Sequence, residues 1–188
     1  CKIDPQTKSP LMSAAEFEAR TKDAKHLIET AIGEQVYGYR APNALVSGWM
    51  VDSLEKLGFR YDASVSVNSL YNKTDSRLIG VTSCPYTPRP HSLDRGGDRD
   101  FIEFPFAYWD VGGVKIPASG GPVLRFLGSR MILEGLRQSL KRGHTVFYFH
   151  PLDISREKFP RVGRGRPLYW AIKGDLGERR LMQILRGT

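Results

Sequence analysis

Cysteine is scarce in this chain of 188 residues, which carries only Cys1 and Cys84. That excludes a disulfide-dense scaffold and any cysteine-rich zinc module, and it leaves the redox compartment open. Long apolar runs are missing too. None approaches the ~20 residues that span a bilayer, and the opening residues do not read as a secretory signal. No G-x-S-x-G elbow, no phosphate-binding G-x-x-x-x-G-K-[ST] loop and no G-x-G-x-x-G after a strand occurs. A serine hydrolase, a P-loop NTPase and a dinucleotide dehydrogenase are therefore disfavoured. H-E-x-x-H and paired-histidine metal spacings are also absent.

What is present is globular composition: 40% hydrophobic residues, 19 Gly and 12 Pro. This excludes a coiled coil, a collagen-like repeat and a wholly disordered chain, and at this length residues 1–188 are expected to form a single domain. Acidic residues are the minority, 20 against 28 Lys and Arg, for a net charge of +8. The excess is concentrated in a basic C-terminal extension, residues 155–188, where nine basic residues face three acidic ones. Such a stretch either binds a polyanion or forms a solvated face. With no zinc-finger spacing and no RNA-binding aromatic motif, nucleic acid is not the expected partner.

Helix signals are clear. Ser13 and Glu16 form a capping box, Phe17, Ala24, Leu27, Ile28 and Ala31 follow at helical spacing, and Gly33 supplies the stop. Ser47 caps a second helix bearing Met50, Val51, Leu54 and Leu57, ending at Gly58. A third is expected from Leu124 to Leu140, closed by Gly143, and a last one from Leu176 to Arg186. Gln35–Arg40, Phe59–Val67, Phe101–Phe104 and Val114–Ile116 read as extended pieces. The continuous apolar run Thr145–Phe149 reads as a strand buried on both faces. Residues 82–100, rich in Pro, Gly, Asp and Arg, read as an exposed loop. The alternation of strands and helices predicts an α/β fold with a largely parallel sheet.

In such folds the chemistry sits where strands end, and two strand ends stand out. In Gly38-Tyr39-Arg40-Ala41-Pro42-Asn43, Arg40 is a permanently charged fork suited to orienting a carboxylate, or else a cap for sheet carbonyls. In Phe149-His150-Pro151-Leu152-Asp153, Pro151 forces His150 into an extended conformation, and histidine is the side chain best able to move a proton near neutral pH. The alternative is a structural histidine. His26, His91 and His144 are read as structural or solvated.

These two segments, with Gly58-Phe59-Arg60-Tyr61-Asp62-Ala63-Ser64 between them, resemble successive motifs of the NodB-homology polysaccharide deacetylases. Ile102-Glu103-Phe104-Pro105 and Gly120-Gly121 resemble a subfamily associated with exopolysaccharide loci. The resemblance implies part of an irregular (β/α) barrel, with metal-dependent hydrolysis of N-acetyl groups from amino sugars of a polysaccharide or oligosaccharide. It casts His150 as the acid that protonates the leaving amine and Arg40 as the holder of a catalytic Asp. Asn43 falls where a backbone N–H helps stabilise an oxyanion, Asp62 near the acid that orients His150, and Tyr148 beside the acetyl pocket. It also implies a divalent metal, commonly zinc. No Thr-Phe-Asp-Asp or His-x-x-x-His occurs here, so no metal ligand is assigned to this chain. Because the sequence does not begin with Met, the expectation is a C-terminal portion of a longer catalytic domain, itself inactive. The alternative is a non-catalytic carbohydrate- or polyanion-binding domain on the same fold.

Overall fold

The computed structural model describes residues 11–67, 77–157 and 172–188. Its contacts divide the chain into two units, one running to Pro105 and one from Phe106 onward.

The first unit opens with helix α1, Ala14–Ile32, begun where the Ser13 hydroxyl accepts the Glu16 N–H at 3.2 Å. It stops at Gly33, whose φ of 73° is left-handed and whose N–H returns to the Glu29 carbonyl. Strand β1 is Gly38–Tyr39, followed by one 3₁₀ turn at Pro42–Ala44 and by helix α2, Gly48–Lys56. Strands β2, Tyr61–Asp62, and β3, Ile102–Glu103, complete a parallel sheet in the order β1-β2-β3. The register sets Tyr39 beside Asp62 and Asp62 beside Glu103, one row across three strands. Phe17, Met50, Val51, Leu54, Phe59 and Phe101 pack the core of this unit. The face of α1 departs from its expected burial. Phe17 is buried, but Leu27 and Ile28 are 69% and 49% exposed.

The segment leading into β3 is not simply an exposed loop. Leu93 and Ser83 are fully buried, and Tyr86 bridges β3 through two backbone hydrogen bonds with Glu103 at 2.9 and 3.0 Å. Arg99 pins it to α2, donating to Asp52 at 2.7 Å and to Glu55 at 2.9 Å. The side-chain pairs thus supply the order that Pro and Gly withhold.

In the second unit, β4 (Tyr108–Val111) and β5 (Val114–Pro117) form an antiparallel hairpin. Gly112 and Gly113, both at positive φ, make its two-residue turn. Helix α3 is Gly121–Phe126 and α4 is Gly128–Arg142. The single helix expected there breaks at Gly128, whose φ of 75° cannot continue a right-handed helix. Helix α4 seals the outer edge of β4. Gln138 takes the Asp110 N–H and donates to its carbonyl, and Ser139 does the same for Tyr108. Those side chains replace a missing strand at an edge that would otherwise invite pairing. Helices α5, Pro151–Ile154, and α6, Asp175–Gly187, follow. The Thr145–Phe149 run is only half-buried and makes one bridge, Val146 to Phe106. An apolar run specifies burial only where partners exist on both sides, and here a single neighbour is present among the described residues. Among those residues no helix is long and apolar enough to cross a membrane.

Candidate functional site

Arg40 and Asn43 lie just beyond β1, both exposed. Arg40 borders an open groove of about 370 Å³ lined by Phe17, Ala24, Ile28, Tyr39 and Pro42. Immediately after it the backbone is unusual. Asn43 and Ala44 hold φ of 58° and 55° in succession. Asn tolerates that region, whereas Ala does so at a cost of roughly 1–2 kcal/mol. The neighbouring hydrogen bonds, Ala44 N–H to Ala41 and Leu45 N–H to Pro42, sustain the turn.

Asp62 is closed off from solvent at the end of β2. Its Oδ1 accepts the Ser64 hydroxyl at 2.6 Å, and that same hydroxyl oxygen accepts the Ala41 N–H at 2.7 Å. Ser64 therefore ties the residue after Arg40 to Asp62. On the next strand Glu103, equally buried, accepts the Ser64 and Val65 N–H groups through Oε1 at 3.1 and 2.9 Å. The two remaining oxygens, Asp62 Oδ2 and Glu103 Oε2, are buried acceptors without a donor. One proton held between the carboxyl groups satisfies both. Burial drives the Glu103 carboxyl well above its usual range, and the charge of Asp62 adds to this. Burial also raises Asp62, to about 6, against the pull of hydrogen bonds from Glu103, Ser64 and the Ala63 backbone and of the Arg40 charge. At neutral pH the pair keeps one proton, carried by Glu103. Tyr39 and Tyr86 flank this row, and burial raises the Tyr39 hydroxyl to about 12.

The second unit holds His150 and Tyr148. Tyr148 is half-buried, its N–H on the Ser119 hydroxyl at 2.8 Å and its ring edge-to-face with His150 at 5.6 Å. A Cβ at Gly120 would lie 2.7 Å from the Tyr148 hydroxyl, so only glycine leaves room for the ring there. His150 precedes α5 with 56% of its side chain exposed. Its carboxylate neighbour is Asp153. Asp153 Oδ2 accepts the His150 backbone N–H at 2.8 Å and faces the ring Nδ1 at 3.6 Å. Asp153 Oδ1 is bound by the Arg125 guanidinium, and both side chains are buried. Of the residues named from sequence, the structure thus joins Arg40 and Asp62 through the Ala41–Ser64 link, and His150 with Tyr148. Glu103, Arg125 and Asp153 were not assigned roles from the sequence.

In the basic extension, Arg156 pairs with Asp175 and Glu178, and Lys173 donates to the Ser155 carbonyl at 2.9 Å. Arg161, Arg164 and Arg166 lie outside the described residues. Among the described residues no three His, Cys, Asp or Glu side chains gather to hold a metal ion. The residues here therefore do not fit the metal that the resemblance implies, and no step below runs through it.

The DUF3473 family model, described as a domain of unknown function, matches residues 68–184, and the chain belongs to that family. The domain is one found in polysaccharide deacetylase-like proteins. The match takes in Glu103, Arg125, Tyr148, His150 and Asp153, while Arg40, Asn43 and Asp62 precede it. No curated protein matches the chain.

Proposed function

We propose that this chain is part of a polysaccharide deacetylase, a hydrolase that removes N-acetyl groups from the amino sugars of a polysaccharide or oligosaccharide. The observation that carries the reading is His150. It stands exposed at the end of an extended segment, backed by a buried Asp–Arg pair, within the span matched by a domain found in deacetylase-like proteins.

On this reading water adds to the acetamide carbonyl carbon, the C–N bond breaks, and the leaving amine takes its proton from His150. Arg40 orients the carboxylate base through a charge-assisted pair. The left-handed turn at Asn43 presents a backbone N–H toward the developing oxyanion, and Tyr148 borders the acetyl group. The metal ligands and the base lie outside these 188 residues. The three parallel strands of the first unit then belong to an irregular (β/α) barrel. Asp62 is enclosed with Glu103, so its part is to hold the strand ends, through Ser64, beneath Arg40.

The test is acetate release from N-acetylated oligosaccharides by a longer chain that carries the metal ligands, with and without a chelator. Chelator-sensitive release supports the reading. Glycan binding with no release over a range of added divalent ions would replace it with the binding-domain alternative.

A further inference from the structure

We propose that Asp153 and Arg125 are the positioning residues of His150, fixing both its backbone and the edge of the ring that faces the protein. The assignment rests on the deacetylase reading only for its catalytic consequence, since the geometry stands by itself. Asp153 uses each oxygen differently. Oδ1 is held by Arg125 of α3, and Oδ2 takes the His150 N–H at 2.8 Å while lying 3.6 Å from Nδ1. A carboxylate there favours a proton on Nδ1, which leaves Nε2, on the opposite edge, to meet a substrate.

The surroundings leave Asp153 little freedom. A Cβ at Gly121 would sit 2.6 Å from both Asp153 carboxylate oxygens. A Cβ at Gly177 would sit 2.1 Å from the Asp153 carbonyl oxygen. Two glycines, on α3 and α6, thus admit this one residue into the core, and the Asp153 N–H closes onto the His150 carbonyl at 2.8 Å. Side chains of Asp153 and Arg125 are 1% and 3% exposed. A buried ion pair is weak evidence for stability, because apolar residues of like volume often serve as well. What the pair does that apolar residues cannot is present a fixed carboxylate oxygen to an exposed histidine.

The experiment is ¹⁵N NMR of the His150 ring in the 188-residue chain, at a pH where the ring is neutral. The expected result is a neutral ring protonated mainly on Nδ1, the reverse of the preference of a free histidine side chain. Asp153→Asn, which offers N–H instead of a lone pair, should move the proton to Nε2. The double variant Arg125→Met with Asp153→Asn should do the same without stranding a buried charge. A wild-type ring already protonated on Nε2 overturns the proposal with no variant needed, and so does an Nδ1 proton that persists in a folded double variant. In the longer, active chain Asp153→Asn should lower kcat about 10–100-fold with KM within about twofold. Absence of any deacetylase activity would refute the functional reading and leave the ring result standing. Activity with an unmoved tautomer would refute the positioning role alone.

Discussion

Glu103→Gln is expected to remove a pH dependence built into the sheet. In the folded chain burial raises Asp62 from 3.8 to about 6 and lifts Glu103 well above its usual value. A carboxyl group that binds its proton more tightly when folded stabilises the fold most at low pH. That contribution is complete below the unfolded value near pH 4 and fades as pH rises through 6. At about 1.4 kcal/mol per pH unit, Asp62 alone withdraws about 3 kcal/mol of stability by neutral pH, and Glu103 withdraws more at higher pH. Gln at 103 replaces the shared proton with a permanent donor. Its carbonyl still accepts the Ser64 and Val65 N–H groups, and its amide group donates to Asp62 Oδ2. Urea unfolding followed by tryptophan fluorescence from pH 5 to 9 reads the difference. Wild type should lose midpoint steadily as pH rises, while the variant stays level or gains, ahead by about 1–3 kcal/mol at pH 8. Coincident pH profiles for the two proteins would refute the shared proton.

Other substitutions test the same structure. Ser64→Ala strands the Ala41 N–H and one Asp62 oxygen, so unfolding should cost about 1–3 kcal/mol less. Gly121→Ala drives a methyl group against the Asp153 carboxylate and should lower the melting temperature by an amount matching about 1–3 kcal/mol. Leu27→Glu, on the exposed face of α1, should change stability by no more than about 0.5 kcal/mol in chemical denaturation.

Local signals were legible and partner-dependent ones were not. Ser13, Glu16 and Gly33 bound α1 because a cap needs only its own chain within four residues. The same applies to Gly58 after α2, at φ 79°. Thr145–Phe149 misled because an apolar run says nothing about how many neighbours it finds. Residues 82–100 misled in the opposite sense, since their composition is that of a loop while Arg99, Tyr86 and Leu93 anchor them. Gly112-Gly113 announced a hairpin through its turn chemistry, yet β4 is visible only when that turn is weighed against the half-polar residues before it. For the candidate site, Glu103 carried a signal of its own. An acid between Phe101, Ile102 and Phe104 must be buried with a partner or must break the strand. Asp153 stands three residues after His150, the spacing at which a side chain reaches back to the residue heading a helix. Its pairing with Arg125, 28 positions away in sequence, had no local signature.

His150 is the residue on which the functional account turns. In a longer chain that releases acetate from an N-acetylated oligosaccharide, His150→Ala should lower kcat by ~10²–10⁴-fold while glycan affinity and metal content hold. Wild-type turnover in that variant would contradict the account and return the histidine to a structural role.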